Sequence, residues 1–402
     1  MKKHIPVVFF ALSLINVLVS QAGDIDMQRL VQGNTTFALD MYQKARDSEG
    51  NIFFSPYSIS TVFAMTYAGA RCETQKQMAG VFRFSLDPDQ LHSAFSELQA
   101  HFQNLQKNKI LRLNIANALW IQKEYALLQT FVELTRKYYQ ANLFDMNFRE
   151  DPEGSRSKIN DWVEEKTEGK IQDLLPSGTI KSLTRLVLTN TIYFKAEWQN
   201  TFNARSTLEQ DFWITPEDTI KVQMMSQKDR FGYGENETLQ ILEMPYIRGD
   251  LSMFVFLPKK KDGLQNLESN LDIETLKEWT SNLMPQQVNV FFPKFTTSQN
   301  IDLKTILKSL GMVDAFTENA DFSGMEPKKE LFITDAIHKA FIDVDEVGTE
   351  AAASTAVSVG VTSMPPPKVV PEFRADHPFF YIIKDNKAEG ILFMGRLTRP
   401  AE

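Results

Sequence analysis

Few side chains in this sequence could carry out covalent chemistry. Five histidines (His4, His92, His101, His338 and His377) and one cysteine, Cys72, are the groups suited to proton transfer or attack near neutral pH. No two histidines stand four residues apart, so the HExxH pattern that puts two ligands on one helix face is absent. One cysteine can build neither an internal disulfide nor a thiolate metal site. The GxSxG elbow that presents a serine nucleophile, the GxxxxGK[ST] phosphate cradle and a GxGxxG turn after a strand are also missing. The residues therefore predict no catalytic group, no metal and no cofactor. Cys72 is expected to be an inert buried thiol at a helix start.

The 402 residues carry 43 Lys plus Arg against 51 Asp plus Glu, a formal charge of −8, and 43% hydrophobic content suffices for a large packed core. An acidic chain without a strong basic block lacks the clustered cations that grip a phosphate backbone, so no nucleic-acid partner is expected. Lys2 and Lys3 precede an uncharged apolar stretch from Ile5 to Val19, and Ser20-Gln21-Ala22 supplies small residues where a signal peptidase reads. A membrane anchor needs roughly 20 apolar residues. Residues 1–22 thus read as a secretory signal, and residues 23–402 as a soluble exported protein with no membrane partner. Removing Lys2 and Lys3 takes the charge from −8 to −10.

The elements that must position any site follow from periodicity. Helical spacing of apolar residues predicts helices over Met27 to Lys44, Ile59 to Ala70, Gln90 to Leu105, Thr130 to Gln140 and Ser155 to Lys170. Strand-like runs cover Leu111 to Ile121, Leu183 to Phe194, Ile220 to Met225, Leu239 to Met244, Leu251 to Leu257, Gln287 to Phe295, Phe379 to Lys384 and Gly390 to Met394. Helices gather in the first half and strands in the second, without a linker or repeat. That segregation predicts an α+β fold built as one large domain.

One stretch does not fit an element. From Val347 to Val370 the chain is written in small residues followed by Pro365-Pro366-Pro367, and a stretch of this length inside a compact domain is uncommon unless it is functional or disordered. Read with period two, Thr349, Ala351, Ala353, Thr355, Val357, Val359 and Val361 share a face with no charge and no large side chain. The opposite face carries Glu350, Ser354 and Ser358. Such a segment could enter a sheet with one side on a core, although a flexible surface linker or an Ala-rich helix has the same composition.

Four motifs bear on the choice. Asn51 to Ile59 (NIFFSPYSI), Leu188 to Trp198 (LTNTIYFKAEW), Ile337 to Ala340 (IHKA) and Phe373 to Phe379 (FRADHPF) resemble the serpin family, and the match runs in register from about Gln32 to Pro400. The resemblance implies three β-sheets, eight or nine helices and an exposed reactive loop over about 347–372. It also implies function: a suicide substrate for a serine protease, whose cut loop inserts into the main sheet before the acyl-enzyme hydrolyses. At roughly 1 kcal/mol net per new hydrogen bond, inserting about 13 residues gives a driving force on the order of 10 kcal/mol.

By the same resemblance the hinge is Gly348, Thr349, Glu350, Ala351, Ala352, Ala353, Ser354 and Thr355, and the scissile bond, fourteen residues past Gly348, joins Thr362 to Ser363. Proline at 365 disfavours cleavage after Met364, which leaves Val361, Thr362 or Ser363. All three are small and suit the shallow pockets of elastase-like or subtilisin-like proteases. Ser55, Ser58, Asn190 and His338 match the family's buried cluster that gates strand separation. Trp198 matches the tryptophan where the loop first enters, and Glu346 with Lys294 the pair at the loop base. Ala196 departs from a common family glycine. Lys107, Lys109 and Arg112 are too few for a heparin site, and Lys259, Lys260 and Lys261 read as a solvated loop. Asn34-Thr35-Thr36 and Asn236-Glu237-Thr238 are glycosylation sequons. A monomer is expected. The other readings are a non-inhibitory serpin acting as carrier, storage protein or chaperone, a serpin that is cut without trapping, and a cysteine-protease target.

Overall fold

The computed structural model describes residues 7–107, 111–349 and 370–400, with the backbone alone for 7–22. The first half holds α1 (Val7–Ala45), β1 (Ile52–Phe54), α2 (Pro56–Tyr67), α3 (Cys72–Phe82), α4 (Pro88–Lys107), β2 (Leu111–Gln122), α5 (Gln129–Tyr139), β3 (Asn142–Met146), α6 (Pro152–Lys166) and β4 (Leu186–Glu197). The middle of the chain adds β5 (Leu208–Trp213), β6 (Thr219–Glu235), β7 (Leu239–Pro245), β8 (Leu251–Pro258), α7 (Leu264–Ser269), α8 (Ile273–Ser281) and β9 (Met284–Pro293). The rest is β10 (Phe295–Asp302), α9 (Leu303–Ser309), β11 (Ile333–Val344), β12 (Gly348–Thr349), β13 (Glu372–Arg374), β14 (Phe379–Asp385) and β15 (Ile391–Leu397).

The strands make two sheets. Six form one, in the order β10-β11-β12-β4-β2-β3, and β11 also pairs directly with β4. That direct pairing is parallel, with His338 opposite Asn190 and Phe341 opposite Tyr193, while β2 lies antiparallel on the other side of β4 with Asn117 opposite Asn190. The other nine strands form the second sheet. Two of the three sheets expected are fused in it because β6, 17 residues long, pairs with β5 at its start, with β9 along its middle and with β7 at its end.

Local sequence explains the helix that joins the two sheets. Ser55 caps α2 by accepting from the Ser58 amide, and Pro56 occupies the first turn, where a missing N–H costs nothing. Every residue of α2 is buried, since it packs against β15 of one sheet and against β4 and β2 of the other. A helix wrapped on all sides carries no charge, and its hydroxyls find partners inside the fold: Ser60 bonds Asn34, and Thr61 and Thr66 bond the carbonyls one turn back. A second, smaller apolar cluster lies on the outer face of the six-stranded sheet, where Ile159 and Val163 of α6 meet Trp120 and Val187.

Cys72 is exposed, contrary to the buried thiol expected, because Arg71, Cys72 and Glu73 at the start of α3 face solvent while Thr74 turns inward. The start of α1 extends the predicted Met27 helix upstream, and its first residues buried in the core are Leu30 and Val31. Among the described residues, no helix is long and apolar enough to cross a membrane, and no group of three or more His, Cys, Asp or Glu is placed to hold a metal ion.

Candidate functional site

The informative geometry is where β11 and β4 part. A tight turn follows β11: Asp345 Oδ1 accepts from the amides of Val347 (2.9 Å) and Gly348 (3.1 Å), and the Asp345 amide donates to the Gly348 carbonyl at 2.8 Å. Burial raises the Asp345 pKa, and the two amide bonds only partly oppose it. The turn sends Gly348 and Thr349 back between the two strands. There β12 is antiparallel to both, with Thr349 opposite Val344 on one side and Ala196 on the other. The hinge therefore does not begin in an exposed loop, as expected; its first two residues are buried inside the sheet. Gly348 is required there, since an added Cβ would lie 2.1 Å from the Ala196 carbonyl oxygen. The hinge residues Glu350, Ala351, Ala352, Ala353, Ser354 and Thr355, and the bond residues Val361, Thr362 and Ser363, lie outside the described residues.

Four further side chains converge on the turn. Trp198 is buried, donates its amide to the Val347 carbonyl (2.8 Å) and its indole N–H to the Asp345 carbonyl (3.0 Å), and stacks on Tyr246 at 4.6 Å. Tyr246 in turn exchanges a 2.9 Å hydrogen bond with the Thr349 hydroxyl. Lys294 reaches Glu346 at 2.7 Å, and the Thr207 hydroxyl donates to the same carboxylate at 2.7 Å. Burial alone would raise the Glu346 pKa, but the bonds from Lys294 and Thr207 prevail and hold it below the ordinary value.

Farther down the same seam, Ser55, Ser58, Asn190 and His338 meet with no solvent exposure. The Ser55 amide donates to His338 Nε2 at 3.1 Å, which leaves the imidazole proton on Nδ1, where it donates to Asn190 Oδ1. Asn190 Nδ2 then donates to Ser58 Oγ at 2.6 Å and to Asn117 Oδ1. Burial is the main cause of a His338 pKa lowered to about 3, so the ring is neutral and acts as a hydrogen-bonding tie. This chain of bonds crosses β11, β4 and β2 and fastens them to the start of α2.

Comparison with known proteins gives this arrangement its family. The profile described as Serpin (serine protease inhibitor) matches residues 32–400. The chain belongs to the serpin family. It is 42% identical to leukocyte elastase inhibitor of Sus scrofa over 93% of this chain and 100% of that one, and 40% identical to Serpin B3 of Homo sapiens with the same coverage. Among solved structures, uncleaved ovalbumin is similar with a TM-score of 0.84 and 30% identity, over 92% of this chain and 100% of that one. Serpin48 of the insect Tenebrio molitor matches at a TM-score of 0.83 and 30% identity, over 93% and 99%. Membership of this family makes the protein a protease inhibitor rather than an enzyme.

Sequence reasoning missed Asn117, Tyr246 and Thr207 in this serpin. Asn117 carried a signal, an amide between Ala116 and Ala118 in the otherwise apolar run 115–121, whereas nothing in the local pattern marks Tyr246 or Thr207. Arg112, one of three cations weighed for heparin, pairs with Glu168 at 3.1 Å, and Lys109 lies outside the described residues. In the run at 259–261, Lys259 and Lys260 are exposed, as a solvated loop requires, with Lys259 paired to the exposed Glu235 at 2.7 Å, whereas the half-buried Lys261 sits over the Trp213 ring at 3.0 Å.

Proposed function

We propose that this serpin is a secreted suicide-substrate inhibitor of elastase-like or subtilisin-like serine proteases, cut between Thr362 and Ser363 and trapping its target by inserting the cleaved loop between β11 and β4. The observation that carries the reading is the register of β12. Extended antiparallel beyond Thr349, the same register puts Ala351 between Ile342 and Phe194, Ala353 between Ala340 and Ile192, and Thr355 between His338 and Asn190. Alternate residues from Thr349 onward then face the buried side, and these are the uncharged small residues of the sequence. Thr355 would arrive where the His338 to Asn190 bond now closes the seam. Its hydroxyl can replace that bond, so opening the gate leaves no buried partner stranded.

The small residues at 361–363 support the choice of target, as does the name of the leukocyte elastase inhibitors to which the chain is similar. The leader at 1–22 supports export. The test mixes the mature protein with a pancreatic-type elastase and resolves the products on a denaturing gel. A complex at the summed mass that survives boiling, with a released fragment beginning at Ser363, is expected. Cleavage without the complex would mean a substrate or non-inhibitory serpin, and no cleavage would sink the elastase assignment.

A further inference from the structure

The two sequons occupy opposite environments. Asn34 is buried in α1, and its Oδ1 accepts a 2.6 Å hydrogen bond from the Ser60 hydroxyl of α2. A glycan on Asn34 would have to pass between two packed helices, so this sequon is incompatible with the fold. Asn236 is exposed at the tip of the β6–β7 hairpin, and Glu235, Glu237 and Thr238 around it are exposed too. There the Asn236 Oδ1 accepts from the amides of Thr238 and Leu239, each at 2.9 Å, and from the Thr238 hydroxyl at 3.1 Å. All three bonds end on the oxygen, so they turn the side-chain nitrogen, the atom a transferase modifies, away from the turn's own donors. The hairpin also lies on the side of the molecule where the reactive loop rejoins the body: Gln240, opposite Glu235, donates to the Glu372 carbonyl at 2.8 Å.

We infer that Asn236 is an N-glycosylation site, with a lipid-linked oligosaccharide as co-substrate, and that Asn34 carries no sugar in the folded protein. In the transfer the Asn236 Nδ2 forms a bond to the anomeric carbon, the bond from that carbon to the lipid pyrophosphate breaks, and one proton leaves the nitrogen. No residue of this chain supplies the catalysis; it supplies an acceptor that stays accessible after folding. The inference rests on the proposed export, because the transferase and its donor are met only on that route.

The full chain with its own leader is expressed in a glycosylating eukaryotic secretory host, and medium and cells are compared with and without peptide-N-glycosidase. One glycosidase-sensitive mobility step on the secreted protein is expected. Thr238→Ala and Asn236→Gln should each abolish it, Thr238→Ser should keep it, and Thr36→Ala, which destroys the Asn34 sequon without touching the Asn34 to Ser60 bond, should leave it unchanged. Secreted protein without a sensitive step would overturn the inference while export stands, as would a step lost in Thr36→Ala. A chain retained in the cells with an uncleaved leader would overturn both, and its location distinguishes that failure from the first.

Discussion

At the residue scale, His338 couples stability to pH through a proton it does not take up. Its pKa is held near 3 by burial, against an ordinary value of about 6.5, and burial likewise lowers that of His92 to about 4. Between those values and about 6.5 the unfolded chain binds a proton that the folded chain refuses. Stability from each histidine is therefore complete above pH 6.5 and lost as pH falls, by about 1.4 kcal/mol per unit while the difference persists. A His338→Gln chain keeps a hydrogen-bonding side chain but has no proton to gain. The slope of unfolding free energy between pH 6.5 and 4, from urea titrations, should fall by one proton relative to the natural chain. Equal slopes would mean that the imidazole is already charged or solvated. A loss of about 1–3 kcal/mol at pH 7 is expected as well, because the Ser55 amide or the Asn190 oxygen is left without its partner.

At the element scale, the β11–β12 turn fixes which side of the hinge faces the core, and two substitutions read that face directly. Continued past Thr349, the register of β12 would put Ala353 on the buried side and Ser354 on the other, together with Glu350. Ala353→Glu should bury a carboxylate without a partner, slow insertion and turn the protein from an inhibitor into a substrate, raising the moles of inhibitor consumed per mole of elastase trapped at least tenfold. Ser354→Glu should leave that ratio within about twofold, since an exposed charge costs little. The reverse order would place the hinge one residue out of register. The alternation that makes this contrast was legible in the sequence, and so were the central strands, because β8 is buried throughout and apolar but for Ser252. The second half of β6 was not, since Ser226 to Arg230 is polar and pairs as a strand only because β9 lies beside it. Helix α3 was anticipated only at its start, Cys72, and its extent was missed for a related reason: its exposed residues and Gly80 dilute the period, and only Thr74, Met78, Val81 and Phe82 are buried. The four residues of the buried cluster could be named from motif resemblance, but their directed chain of bonds, and the part of Asn117 in it, depend on strand register, which no local pattern encodes.

At the scale of the whole molecule, the six-stranded sheet has a parallel pairing at its centre where an antiparallel strand has already begun to enter. Extending β12 would exchange the β4–β11 ladder for two antiparallel ladders, which hold slightly better per residue, and would fill the seam with side chains small enough to need little repacking. The uncleaved chain cannot do this freely, because residues 350–371 must span from β12, inside one sheet, to β13, at the edge of the other. Cutting the loop removes that tether. With about 13 residues inserted and a gain on the order of 10 kcal/mol, the cleaved protein should unfold about 20 °C higher than the intact one, at roughly 2 °C per kcal/mol for a domain of this size. Scanning calorimetry of both forms at one scan rate checks this, since unfolding of a kinetically held fold depends on the rate of heating. A cleaved form that melts with the intact one would mean that the strand stops at Thr349. The protein would then be cut without trapping, whatever protease cut it.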